Sequence, residues 1–237
     1  MIYIGIAGWN IPKEYKNFFP NEGTHLERYS KIFNITEINR TFYSLPKKST
    51  LEKWFNSTPE NFKFSVKMPK KITHISKIQD IDSLQDFLSY ISILDNKLLS
   101  ILVQLPPSLK YEENIAEKFF SNFRKSYNGY IALEARSSSW IEAEELLKFY
   151  KISTVAADPS RFDFDKKPGG WKDFSYYRLH GSPKIYYSEY DKNFLLNIAK
   201  TVKKSKAKDT VIIFDNTASG AAIKNALELK ELFDEIK

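Results

Sequence analysis

Ionisable side chains recur at every second position inside short β-branched and aromatic runs, and that spacing is what could gather chemistry in one place. Glu37, Asn39 and Thr41 stand two apart, as do Ser65 and Lys67, Glu134 and Arg136, and Tyr176, Arg178 and His180. Alternate residues of a strand point to the same face, so each set would line one side of its strand. The intervening residues, Ile131, Leu133 and Ala135 in one run and Tyr177 and Leu179 in another, suit a face packed on helices. Gln104 and Asp158 put polar ends on two further runs. Charged groups are seldom buried without partners, so convergence of these residues predicts a paired or ligand-filled site. The alternative is a structural network in which Arg136 and Arg178 neutralise Glu37 and Glu134.

Acid–base work on a small anion is the chemistry such a set fits. Arg136, Arg178 and Lys67 would orient a phosphate or carboxylate, while Glu37 or Glu134 with His180 would move protons. Asn39, Gln104 and Asn216 would fix hydroxyls, with Asp158 and His74 as further ligand contacts at loop-proximal positions. Glu134 beside Arg136 should stay ionised, and His180 beside Arg178 should be pushed towards the neutral imidazole that serves as a base. Thr217, Ser219 and Gly220 precede a helical pattern, so free amides there could hold a phosphate. A capped turn is the competing reading of that stretch.

Glu37, Glu134, Asp158, His180 and Asp215 could also assemble a metal centre, for which oxygen donors favour magnesium or manganese over zinc. They form no tight ligand motif, and whether any cofactor is needed stays open. A Glu37 and Glu134 pair would suit glycoside hydrolysis only at a separation that sequence does not specify. No Ser-His-Asp triad, P-loop or dinucleotide fingerprint is present.

The elements that must position these residues repeat. Eight candidate strands, at 2–8, 35–43, 62–68, 99–105, 129–136, 153–158, 174–180 and 210–216, are mostly separated by apolar residues at helical spacing. Leu26, Tyr29 and Phe33 make one stripe, and Leu84, Phe87, Leu88 and Ile91 another; Ile115, Phe119 and Phe123, then Phe194, Leu195, Ile198 and Val202, make two more. Thr24 with Glu27, Ser49 with Glu52, and Ser139 with Glu142 read as capping boxes that start helices. Residues 159–173, with Pro159, Pro168, Gly169 and Gly170, predict a long loop holding at most a short helix. The expectation is a (β/α)8 TIM-like barrel, a single domain over 1–237, with the polar faces meeting at the C-terminal ends of its strands.

Composition narrows the functions. The 237 residues contain no cysteine, which excludes disulfides, thiolate nucleophiles and Cys-ligated metal centres. A start at Met1-Ile2-Tyr3-Ile4-Gly5 reads as a strand rather than a secretory signal, and no apolar run approaches a membrane span, so a cytoplasmic location without membrane partner is expected. The formal charge of +7 favours anionic partners, although the lysine pairs are scattered in the manner of a solvated surface. A nucleic-acid binder or metal-assisted phosphodiester hydrolase, stacking bases on Trp9, Tyr43, Trp140 or Tyr190, is therefore the alternative to a small-substrate enzyme. A noncatalytic anion or metabolite sensor is the third class.

These motifs together resemble the YecE-like family, the domain of unknown function 72. The resemblance rests on Gly5-x-x-Gly8-Trp9, Glu37-Ile38-Asn39-x-Thr41-Phe42-Tyr43, Phe62-x-Phe64-x-x-Lys67 with Thr73-His74, and Gln104-Leu105-Pro106-Pro107-Ser108. It continues through Glu134-x-Arg136-x-x-Ser139-Trp140, Asp158-Pro159, Tyr177-Arg178-Leu179-His180-Gly181, and Asn216-Thr217-x-x-Gly220-x-Ala222-x-x-Asn225-Ala226. It implies a TIM-like barrel and lends no established reaction. Ser137 stands where the family commonly has His, Asp215 where it has Asn, and Ala7 where it has a small hydroxyl residue.

Overall fold

A computed structural model describes residues 1–236. The first half alternates β1 (Ile2–Ile6), α1 (His25–Ser30), β2 (Ile35–Ile38), α2 (Lys48–Ser57), β3 (Lys63–Lys67), α3 (Ile81–Ile91), β4 (Leu98–Gln104), α4 (Glu113–Ser126), β5 (Tyr130–Glu134) and α5 (Glu144–Phe149). The second half follows with β6 (Ile152–Thr154), β7 (Ala156–Asp158), β8 (Gly169–Gly170), β9 (Phe174–Leu179), α6 (Lys192–Lys204), β10 (Asp209–Phe214) and α7 (Ala221–Glu235). The strand order is β1-β10-β9-β7 in one sheet and β2-β3-β4-β5-β6-β8 in the other, every pairing parallel except β6 with β8.

The two sheets are joined at both edges. At one, the chain itself crosses: β6 pairs with β5, and after Val155 the same run continues as β7 against β9. At the other, side chains replace much of the ladder between β1 and β2. Tyr29 from α1 inserts its hydroxyl, which accepts from the Ile6 amide at 2.8 Å and donates to the Ile35 carbonyl at 2.9 Å. Asn34 likewise pairs both backbone groups, with Ile4 at 2.9 Å and Ile2 at 3.0 Å. Backbone pairing resumes only at the strand ends, through Ala7 opposite Glu37 and a 2.8 Å bond from the Gly8 amide to the Glu37 carbonyl. Gly5 makes this close approach possible, because a Cβ there would lie 2.0 Å from the Ile35 carbonyl oxygen and 2.8 Å from the Tyr29 hydroxyl.

Two apolar clusters follow from strand alternation. Tyr3, Ile35, Leu102, Ala132, Val155, Phe174, Tyr176, Val211 and Ile213, drawn from both sheets, form the inner one. Residues of opposite parity, among them Ile131, Leu133, Tyr177 and Leu179, pack outward in the larger cluster with the helices. The expected stripes do this work: Leu84, Phe87, Leu88 and Ile91 of α3 and Phe119 and Phe123 of α4 are buried.

Local signals held unevenly. Thr24 and Glu27 form both bonds of a capping box at α1. The other two boxes do not form: α2 is preceded by Lys47 with no side-chain cap, and Ser139 lies inside a 3-10 segment (Ser138–Ala143), where its hydroxyl accepts from the Tyr111 amide at 2.9 Å. For Ser139 a tertiary partner displaces the local cap. The 159–173 segment is the expected loop, with one short 3-10 turn, Asp163–Asp165, and the Gly169–Gly170 strand. Among the described residues no helix is long and apolar enough to cross a membrane.

A candidate charged site at the strand C-termini

Above the inner apolar cluster, successive inward positions turn polar. Tyr176, on β9, donates to Glu37 at 2.8 Å and contacts Ser65 Oγ at 2.8 Å, and Ser100 bonds Ser65 at 3.0 Å. Two residues further along β9 comes Arg178, only 1% exposed. Its guanidinium grips Glu37 through Nε at 3.0 Å and Nη2 at 2.7 Å, Glu134 through Nη1 at 2.7 Å, and Asp215 through Nη2 at 3.0 Å. Burial would discharge this group, but three carboxylates outweigh it and hold its pKa well above the ordinary arginine value.

Glu134 is the junction of the next layer. Its Oε1 accepts from Gln104 at 2.9 Å and from Arg136 at 2.8 and 3.2 Å, and it lies 3.5 Å from His180 Nε2. Burial raises its pKa, yet Arg178, His180 and Arg136 together hold the carboxyl well below the usual range. It stays ionised, as the sequence implies, with Arg178 rather than Arg136 the stronger influence. Asp215 behaves alike: burial is outweighed by Arg178 and His180, and its pKa is lowered.

His180 reverses the expectation. Burial and the Arg178 charge do depress it, but hydrogen bonds to Asp215, at 3.0 Å from Nδ1, and to Glu134 prevail and raise its pKa above the usual 6.5. The error came from weighing one neighbour along the strand and none across it. His180 thus holds its proton more tightly than a free imidazole, with Nδ1 bonded to Asp215 and Nε2 3.5 Å from both Glu134 Oε1 and Arg178 Nη1.

Several other predicted residues converge here. Asn39 sits 3.5 Å from Asp215 Oδ1, and its own Oδ1 is buried with no hydrogen-bond partner. Lys67 Nζ lies 4.3 Å over the Phe42 ring and makes no ion pair among the described residues, although the charges of Glu37, Glu134 and Asp215 reach it. Burial and Arg178 lower its pKa. His74 stands edge-on to Phe42 at 5.0 Å and bonds Thr73 at 2.8 Å; burial, Lys67 and Arg136 all lower its pKa.

Others do not join. Asp158 accepts from the Tyr190 hydroxyl at 2.9 Å, and Asn216 donates to Ser188 at 2.9 Å and Asn225 at 3.1 Å, tying the 181–190 loop to α7. Inward parity on β10 runs Val211, Ile213, Asp215, so Asp215 faces the cluster in place of Asn216. Around Thr217, Ser219 and Gly220 the amides of Ala218, Gly220, Ala222 and Ile223 already serve backbone carbonyls, and the Ser219 hydroxyl serves Tyr187. A Cβ on Gly220 would stand 3.0 Å from a Glu14 carboxylate oxygen, so a carboxylate already lies close to this helix start. The proposed metal set also comes apart: Asp158 bonds elsewhere, and the oxygens of Glu37, Glu134 and Asp215 are occupied by a guanidinium. Among the described residues no three His, Cys, Asp or Glu side chains gather to hold a metal ion. Of the stacking candidates, Trp140 and Tyr190 are buried and Trp9 packs on Trp54, leaving Tyr43, 73% exposed.

Tyr176 and Asp215 belong to the cluster, and alternation along β9 and β10 is the sequence signal for both. Arg161, Ile185 and Tyr186 were missed, since they come from loops with no periodicity; with Arg136 and His180 they line a cavity of about 250 Å³.

Parallel sheets with crossover helices, carrying a buried carboxylate–guanidinium cluster at their C-terminal ends, define the class of this α/β protein. The chain belongs to the family described as Protein of unknown function DUF72, which it matches over residues 3–237. It is 27% identical to UPF0759 protein YunF of Bacillus subtilis, across 99% of this chain and 95% of that one. It is 36% identical to UPF0759 protein YecE of Escherichia coli K12 across 45% of this chain and 38% of that protein. A DUF72 family protein from Thermotoga maritima superposes with a TM-score of 0.80 at 25% identity, covering 99% of each chain. One from Enterococcus faecalis gives 0.76 at 20%, covering 99% and 98%.

Proposed function

We propose that the chain is a single-domain (β/α)8-type barrel whose open end binds a small phosphorylated or carboxylated molecule and transfers a proton to or from it. Eight strand positions in sequence order, with β6 and β7 counted as one broken strand and contacts at both sheet edges, support the closed barrel. One observation carries the site: its three carboxylates are ion-paired with Arg178, Arg136 and His180, whereas Lys67, which feels their charges, makes no ion pair of its own among the described residues. An ammonium without an ion pair, acting on the same Asp215 carboxylate as His180, favours an anion in front of both.

His180 is the proton donor in this reading, oriented through Nδ1 by Asp215 and presenting Nε2 to the ligand. Glu37, 0% exposed and doubly gripped by Arg178, positions that arginine. Arg178 in turn sets the carboxylates and does not touch substrate. Arg136, Lys67 and the unpartnered Asn39 Oδ1 contact the ligand, the last accepting from a hydroxyl. Lys67→Met should abolish phosphate- or carboxylate-induced NMR shifts at His180 while leaving the melting temperature close to wild type. Undiminished binding in that variant would refute the reading.

Nucleic-acid binding is the second reading, and one feature favours it: exposed Tyr43 with Lys70 Nζ 5.8 Å over its ring.

A further inference from the structure

The cavity beside His180 is not lined by charge alone. Together with Arg136, the 181–190 loop lines it with Ile185 and Tyr186, which are 41% and 45% exposed. Pro159 extends the same apolar wall, and Arg161 stands at the rim with its guanidinium free of any hydrogen bond or ion pair among the described residues. Tyr186 is held there at a cost, because its φ of +71° lies in the left-handed region that a bulky side chain rarely adopts. Its amide donates to the His180 carbonyl, and its carbonyl accepts from the Ala218 amide at 3.0 Å. Its ring stands edge-on to the His180 imidazole at 6.0 Å. A loop anchored on both flanks thus keeps a large aromatic side chain in contact with solvent, edge-on to the group assigned to proton transfer.

We propose that this wall selects the substrate: the site takes a small carboxylate or phosphate that carries a compact apolar body, aromatic or branched, packed between Tyr186, Ile185 and Pro159. The anionic group lies on Arg136 and Lys67, with Arg161 adding its charge from the rim, and the atom that exchanges a proton lies beside His180. Such a ligand is smaller than a drug, since about 250 Å³ falls below the ~300–1,000 Å³ usual for drug-sized pockets. This inference rests on the anion-site reading and adds the chemistry of the body to it.

Matched probes separate the two claims: acetate with phenylacetate, and methylphosphonate with phenylphosphonate, each titrated by NMR or calorimetry against the intact chain. In each pair that binds, the phenyl compound should bind at least about tenfold more tightly. Tyr186→Asn, whose new residue tolerates the left-handed backbone, and Ile185→Ala should each erase most of that gain without changing the affinity for the small partner. Arg161→Ala should weaken both members of a pair by the same factor. Equal affinities within both pairs, or a phenyl gain that survives both wall variants, would overturn the wall while sparing the anion site. Absence of binding by all four probes would overturn both. Whichever pair binds identifies the headgroup as carboxylate or phosphate.

Discussion

Three carboxylates share one buried guanidinium, so the stability of the charged layer depends on Arg178. Arg178→Met leaves those carboxylates without their main counter-charge and should cost about 3–5 kcal/mol near neutrality, measured by urea unfolding. The deficit should shrink in acid. Glu134 and Asp215 have lowered pKa values in the folded protein, so their contribution is present above the unfolded values and disappears as pH falls through the folded ones. His180 has the opposite sign. With a raised folded pKa, its contribution is complete below about 6.5 and is lost as pH rises through the folded value. NMR titration of the imidazole should show a pKa above 6.5 in the wild type and a lower one in Asp215→Asn, where the orienting charge is gone. A wild-type value below 6.5 would contradict the assignment of His180 as proton donor.

At the scale of elements, the seam between β1 and β2 is where geometry is tightest. Tyr29 substitutes for ladder bonds, and only a residue without Cβ fits beside it. Gly5→Ala should destabilise by about 1–3 kcal/mol or more, because the new methyl meets backbone rather than a movable side chain. Tyr29→Phe, which keeps the ring and removes the bridge between the Ile6 amide and the Ile35 carbonyl, serves as the comparison in the same thermal melts. The loops behave differently from the strands. Asp165 accepts from the amides of Arg161 and Phe162 at 3.1 and 3.0 Å, so the cavity rim is fixed by one carboxylate rather than by a ladder.

Over the whole molecule, the excess of 36 basic over 29 acidic residues creates a positive field, but a field alone does not distinguish a polyanion from a small ligand. Ionic strength does. If the strand-end pocket is the functional site, affinity for a small anion should fall only modestly between about 50 and 200 mM salt, whereas a nucleic acid contacting several lysines would lose about 10³-fold or more. Titrations of a phosphonate and of a single-stranded oligonucleotide at both salt concentrations decide which partner the surface serves.

Much of this was open to reading from residue order alone. The alternation that placed Glu37, Glu134, Arg178 and His180 on inward faces is a property of extended backbone, and the stripes of α3 and α4 are a property of helical pitch. Both act over a few residues, so no distant part of the chain was needed to see them. The same alternation could have chosen Asp215 over Asn216. What lay beyond sequence was who neighbours whom across the sheets. The raised pKa of His180, the pairing of the carboxylates with Arg178, the lack of an ion pair at Lys67 and the Tyr186 wall each depend on residues brought together from separate elements. Electrostatic energy depends on distance and burial, and only the tertiary fold determines those.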